Sequence, residues 1–256
     1  MGRATNGTGA DKLADRSTQD EIGLSQDRDP VAVSVEFLTA VRDGDDDDRY
    51  RAWLTDRTVG ELDNRLGGDL ARLAFWINCY NATAHRALRA NPQRYQDRRA
   101  FFGAELLTVA GRTLSLDDVE HDVLRRGYPK WTLGYLRWPF RADLEARLCP
   151  SKRDPRIHFA LNCGAESCPI IRPYSRENVD AALDEATRSY LESTVEYDSS
   201  AGTCLVPRIF LWFRGDFGGK SGILAFLRRY DQLPPDARPR LRHREWDWTL
   251  DLEAFS

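Results

Sequence analysis

At 256 residues with 41% hydrophobic content, including eleven Phe and seven Trp, the chain is long enough to bury a sizeable core. A net charge of −3, with both signs interspersed beyond residue 50, excludes a global basic footprint for nucleic acid. No run approaches the roughly 20 apolar residues of a membrane span, and no basic-then-apolar leader opens the chain, so the expectation is a cytoplasmic protein without membrane contact. The cysteines, Cys79, Cys149, Cys163, Cys168 and Cys204, are odd in number and do not form a secreted disulfide framework; reduced thiols are expected.

Residues 1–29 are rich in Gly, Thr, Asp and Arg and poor in apolar groups, which predicts a disordered leader before a single domain over 30–256. From Pro30, the spacing of Val31, Val35, Phe37, Leu38 and Val41 predicts an amphipathic helix ended by Gly44 and a solvated acidic run, Asp45 to Asp48. Tyr50 to Leu66 reads as another helical segment, closed by Gly67-Gly68.

The strongest helical pattern runs from Asp69 to Ala90, with Asn91-Pro92 as its stop. It carries Asn78, Asn81 and His85 along one stripe. Such a buried stripe either fastens neighbouring backbone or lines a pocket. A short hairpin is predicted around Ala110-Gly111, then a helix capped by Ser115 with Asp117, Asp118 and Glu120 in its first turns and Glu120-His121 further along.

Arg156 to Asn162 alternates, predicting a strand with His158, Ala160 and Asn162 on one face, leading into Cys163-Gly164 and Ser167-Cys168-Pro169. Further on, Asn178 to Leu191 reads as a helix and Val195 to Val206 as a hairpin across Ser199 to Gly202. Ile209 to Phe213 reads as a strand or a helix start, and Glu245 to Leu250 as a last strand. The class is α+β, a helix-rich N-terminal half packed on a small, mainly antiparallel sheet. Gly215 to Ser221 imitates a phosphate-binding loop, but Arg214 stands where that motif needs its first Gly, and Asp216-Phe217-Gly218 lacks the other kinase signatures.

Taken together, Phe75-Trp76-Ile77-Asn78, Tyr80-Asn81-Ala82 with His85, Ser115 to His121, His158 to Gly164 and Ser167-Cys168-Pro169 resemble the DUF547 family. The likeness extends to Phe210-Leu211-Trp212, Asp216-Phe217 and Trp246-Asp247-Trp248, covering roughly residues 30 to 250. Cys79 departs from the pattern, where an apolar residue is usual, and reads as packing. The family is one of unknown function, so the resemblance supplies positions and no reaction.

Several chemistries use these residues. In a cysteine-dependent hydrolase or acyl transferase, Cys163 is the nucleophile, His158 or His121 the base, and Asn78, Asn81, Asn162 or Asp216 orients that base or binds an oxyanion, with Glu120 and Cys168 alongside. In a dithiol redox protein, a turn at Gly164 brings Cys163 and Cys168 together. A zinc site from His121, His158, Cys163 and Cys168 matches no known spacing, and no metal or cofactor is expected. A noncatalytic interaction module is the alternative of another class. The predicted pocket joins Asn78, Asn81 and His85 with Asn162, Ser167 and Asp216, open to an unidentified small molecule or protein.

Overall fold

The computed structural model describes residues 24–138 and 143–254. Most of the expected leader lies outside them. Its last residues, 24–29, are tied to the domain: the Trp53 indole donates to the Ser25 carbonyl (3.0 Å), and Asp29 caps the first helix by accepting from the Ala32 N–H (3.4 Å).

Helix α1 (Pro30–Asp43) has Pro in its first turn and ends on Gly44, whose φ of 78° suits glycine. The acidic run is more than a solvated loop. Asp48 opens α2 (Asp48–Thr55), and both carboxylate oxygens of Asp47 accept from Arg86 Nε (2.9 and 2.8 Å). The expected segment from Tyr50 to Leu66 is two helices, because Thr58 and Glu61 form a capping box that starts α3 (Val59–Leu66). Helix α4 (Asp69–Ala90) has the predicted bounds and is buried on nearly every side. It is the central strut, with α1 packed along it.

After the short α5 (Arg98–Phe102) come β1 (Glu105–Val109) and β2 (Arg112–Ser115), an antiparallel hairpin turning through Ala110 and Gly111 at positive φ. The N–H groups of those two turn residues donate to Leu54 and Thr55 carbonyls (2.9 Å each), so the hairpin tip caps α2. A π-helical segment, Asp118–Leu124, follows, then α6 (Asp143–Leu148).

A second hydrophobic cluster is built around Phe159, Phe210, Phe217 and Phe226. It joins α7 (Val179–Thr194), the antiparallel strands β3 (Glu196–Asp198) and β4 (Thr203–Val206), α8 (Ile209–Trp212) and α9 (Gly219–Arg229). Strand β5 (Arg240–His243) pairs parallel to β4. The fold is α+β as expected, with two small sheets and one parallel pairing.

Two predicted strands are absent. Pro155–Phe159 is a 3₁₀ turn, started by Asp154 accepting from the Arg156 N–H (3.0 Å) with Pro155 in its first turn. Residues 156–162 are buried on both parities, wedged between the two clusters, so their alternation does not mark an inside and an outside. Residues 245–250 run beside the Cys163–Cys168 loop with one isolated bridge, Ala165 to Leu250. Among the described residues no helix is long and apolar enough to cross a membrane.

Candidate functional site

The polar stripe of α4 is the foundation of the thiol loop. Asn78 donates to the Tyr174 carbonyl (2.8 Å) and accepts its N–H (3.0 Å). Asn81 likewise donates to the Ala160 carbonyl (2.9 Å) and accepts the Asn162 N–H (2.9 Å). Each amide thus stands in for a strand neighbour in a segment that has none. His85 Nε2 donates to Asn162 Oδ1 (3.1 Å), and burial pushes its pKa down to about 4.

Asn162 closes the loop above. Its Oδ1 also accepts the Gly164 N–H (2.7 Å), while its Nδ2 donates to the Pro169 carbonyl (2.8 Å), clasping both ends of the Cys163–Cys168 turn. Gly164 has φ 86°, and a Cβ there would meet Leu88 at 2.6 Å. The turn is further fixed by Ser167, whose hydroxyl accepts the Asp247 N–H (2.8 Å).

Within this turn the sulfurs of Cys163 and Cys168 lie 2.9 Å apart as free thiols, and the Cys163 N–H donates to Cys168 Sγ (3.2 Å). The two are electrostatically unequal. The Cys168 hydrogen bond lowers the Cys163 pKa against burial, helped by the Ala165 N–H, whereas burial and the neighbouring sulfur push Cys168 well up. Cys168 is therefore favoured as the donor and Cys163 as the sulfur biased toward the thiolate. Cys79, fully buried in α4, has its thiol pushed far up by burial and takes no part.

A second constellation centres on Asp216, whose side chain is 2% exposed. Its Oδ2 accepts from His158 Nε2 (2.9 Å) and Arg125 Nε (2.6 Å); its Oδ1 accepts from Arg125 (3.2 Å) and Arg153 (2.5 Å). Burial opposes the carboxylate, yet the His158 and Arg125 hydrogen bonds hold its pKa well below the usual range. Burial also lowers the His158 pKa, which favours the neutral ring, and Arg125 and Arg153 supply positive charge opposite Asp216. With Nε2–H on Asp216, Nδ1 is the nitrogen left without a proton. The ring is stacked on Phe213, centroids 3.9 Å apart.

The π-helical turn presents Asp117, Glu120 and His121 to the same space, a distortion common where side chains must be re-aimed. Arg125 donates to His121 Nδ1 (2.9 Å), which leaves the ring proton on Nε2, 3.5 Å from Asp117. Burial works against the Asp117 carboxylate, but His121 and Lys130 hold its pKa at about 2.

These groups open on one cavity of about 360 Å³. Its walls are Trp131, Trp212, Trp246, Trp248, Phe102 and Phe213; its polar lining is Asp117, Glu120, His121, Lys130, His158, Cys163 and Cys168. The predicted catalytic residues Cys163, Cys168, His121, His158 and Glu120 are thus brought together. The predicted pocket-lining residues are not: Asn78, Asn81, His85, Asn162 and Asp216 lie behind the cavity as its support, and Ser167 lines a smaller neighbouring one. The physical reason is that each amide is consumed by backbone groups. Among the described residues no three His, Cys, Asp or Glu side chains converge on a point suited to a metal.

Arg125, Arg153 and Asp117 escape sequence reasoning. The spacing of His121 and Arg125, one helical turn, is the available signal for the first. Gly134 is also missed: a Cβ there would lie 2.2 Å from Asp216 Oδ1.

The family described as "Protein of unknown function, DUF547" matches residues 67–191. That range holds the amide stripe, the π-helical turn and the thiol loop; Asp216 and the tryptophans at 212, 246 and 248 lie beyond it. No curated protein and no solved structure matches the chain.

Proposed function

We propose that this chain is a thiol-dependent hydrolase or acyl transferase in which Cys163 is the nucleophile and His158, oriented by Asp216, moves the proton. The observation that carries the reading is the unequal sulfur pair, 2.9 Å apart, on a cavity that His158 also lines. A nucleophile needs thiolate character, and the Cys168 S–H supplies it without a buried cation. The Cys163 thiol passes its proton to the His158 imidazole as its sulfur attacks an acyl carbon, and the imidazolium gives that proton to the leaving group; water or a second acceptor, losing its own proton to the same imidazole, then cleaves the thioester, and that proton returns to the Cys163 sulfur.

The test is the rate of iodoacetamide alkylation of Cys163 against pH. An inflection below that of a free thiol supports the nucleophile; a rate no faster than a free thiol from pH 5 to 9 rejects it.

The same contact favours a second reading, dithiol redox chemistry. Sulfurs at 2.9 Å need little movement to form a disulfide, and the thiolate-biased Cys163 with a protonated neighbour is the order such exchange requires. Rapid, paired loss of both thiols under mild oxidant, reversed by dithiothreitol, selects it over acyl transfer.

A further inference from the structure

The cavity has a charge pattern that selects its ligand. Glu120 projects into it with its side chain 16% exposed, and its carboxylate makes no hydrogen bond among the described residues. Its nearest ring nitrogen, His121 Nδ1, is 3.8 Å away and already accepts from Arg125. Asp117, by contrast, is matched by Lys130 at 2.8 Å. The arginines near the cavity sit behind its rings: Arg125 is fully buried on Asp216 and 4.6 Å from the Phe213 centroid, and Arg98 lies 4.5 Å from the Trp248 centroid. Among the described lining residues Lys130 is the one lysine or arginine, and its charge is balanced by Asp117, which leaves the Glu120 carboxylate as the unbalanced charge.

From this we infer that the cavity binds an organic cation, an ammonium group on an aromatic or aliphatic body, with the charge on Glu120 and the body against Trp212, Trp246 and Trp248. An anionic ligand would be desolvated opposite Glu120, and could draw on Lys130 only in competition with Asp117. A cation gains a charge-assisted hydrogen bond and the negative faces of the rings. The three indoles, with centroids 5.1 to 5.9 Å apart and mutually tilted, form an apolar wall beside the carboxylate. The inference rests on the cavity assigned above to thiol chemistry and names the ligand class for it.

Calorimetry on the full chain with 2-phenylethylammonium, 2-phenylethanol and 3-phenylpropanoate tests it. The ammonium is expected to bind about tenfold or more tightly than the alcohol, with the carboxylate weakest. It should also protect Cys163 from iodoacetamide, which places it in this cavity. Glu120→Gln should bring the ammonium down to the alcohol and leave the alcohol unchanged, the latter also showing that the variant is folded; Cys163→Ser should keep the wild-type order. Equal binding of ammonium and carboxylate, failure of all three to bind at millimolar concentration, or an order that survives Glu120→Gln overturns the inference. The wild-type order decides by itself if the variant does not fold. An unreactive Cys163 with the order intact rejects only the thiol chemistry, and a reactive Cys163 with the wrong order rejects only the ligand class.

Discussion

His158 Nε2 lies 2.9 Å from Asp216 Oδ2, and the carboxylate that receives it is shared with a guanidinium, Arg125, that has no solvent exposure at all. The imidazole is therefore oriented by an ion pair whose two charges depend on each other. Arg125 also reaches His121, so one buried cation fixes the tautomers of both cavity histidines.

Asp216→Asn removes the charge and leaves Arg125 buried against one amide oxygen, the Tyr128 carbonyl and the His121 ring, with no anion to pair it. A loss of about 3 to 5 kcal/mol is expected, read as a lowered urea midpoint. Adding Arg125→Met should recover part of it, because the second change removes the uncompensated cation. If the double variant is as unstable as the sum of the single ones, the two charges are not coupled and the ion pair does not anchor His158.

Cys168→Ser replaces a thiol donor on Cys163 with a shorter hydroxyl that does not span the same gap. The Cys163 pKa should rise toward that of an ordinary thiol, moving the inflection of the alkylation profile to higher pH and slowing the reaction at pH 7 severalfold or more, as the thiolate fraction falls. An unchanged profile would mean that the backbone N–H groups of the loop, and not Cys168, set the reactivity of Cys163.

Asn81→Ala unpairs the Ala160 carbonyl and the Asn162 N–H in a site with no solvent exposure, at a cost of about 2 to 4 kcal/mol. Asn81→Asp keeps the shape but turns the donor facing Ala160 into an acceptor, and should destabilise at least as much. Chemical denaturation of both variants checks this. An aspartate variant as stable as the wild type would show that shape, not hydrogen bonding, is what α4 provides at this position.

What the sequence makes legible follows from local rules. The bounds of α4 are readable because its apolar spacing and its Asn91-Pro92 stop are local, and the Ala110-Gly111 hairpin is readable from its turn residues. The stretch from Arg156 to Asn162 misleads because burial on both sides erases the meaning of alternation, and its backbone is satisfied by Asn81, some eighty residues away. The pairing of Asp216 with His158 and the buried Arg125 likewise joins segments far apart in the chain. Residue types announce that the histidines and thiols matter; only the fold separates those facing the cavity from the amides that hold it up.

His85 ties stability to pH. Its pKa is about 4 in the folded chain against 6.5 for an ordinary histidine, so the folded state resists binding its proton. The stabilisation is complete above pH 6.5, where the ring is neutral in both states, and is lost as pH falls from there toward 4, amounting to about 3 kcal/mol over that window. His158, also lowered by burial, acts in the same direction. The depressed carboxylates Asp117 and Asp216 act in a separate window, below the ordinary carboxylate value, where protonation removes what their partners contribute. Urea unfolding at intervals from pH 7.5 to 4.5 should show a steady decline, and His85→Gln, which keeps an N–H for Asn162 but does not titrate, should flatten it. A variant whose stability falls as steeply as that of the wild type would mean that His85 is not the group that couples the α4 stripe to acid.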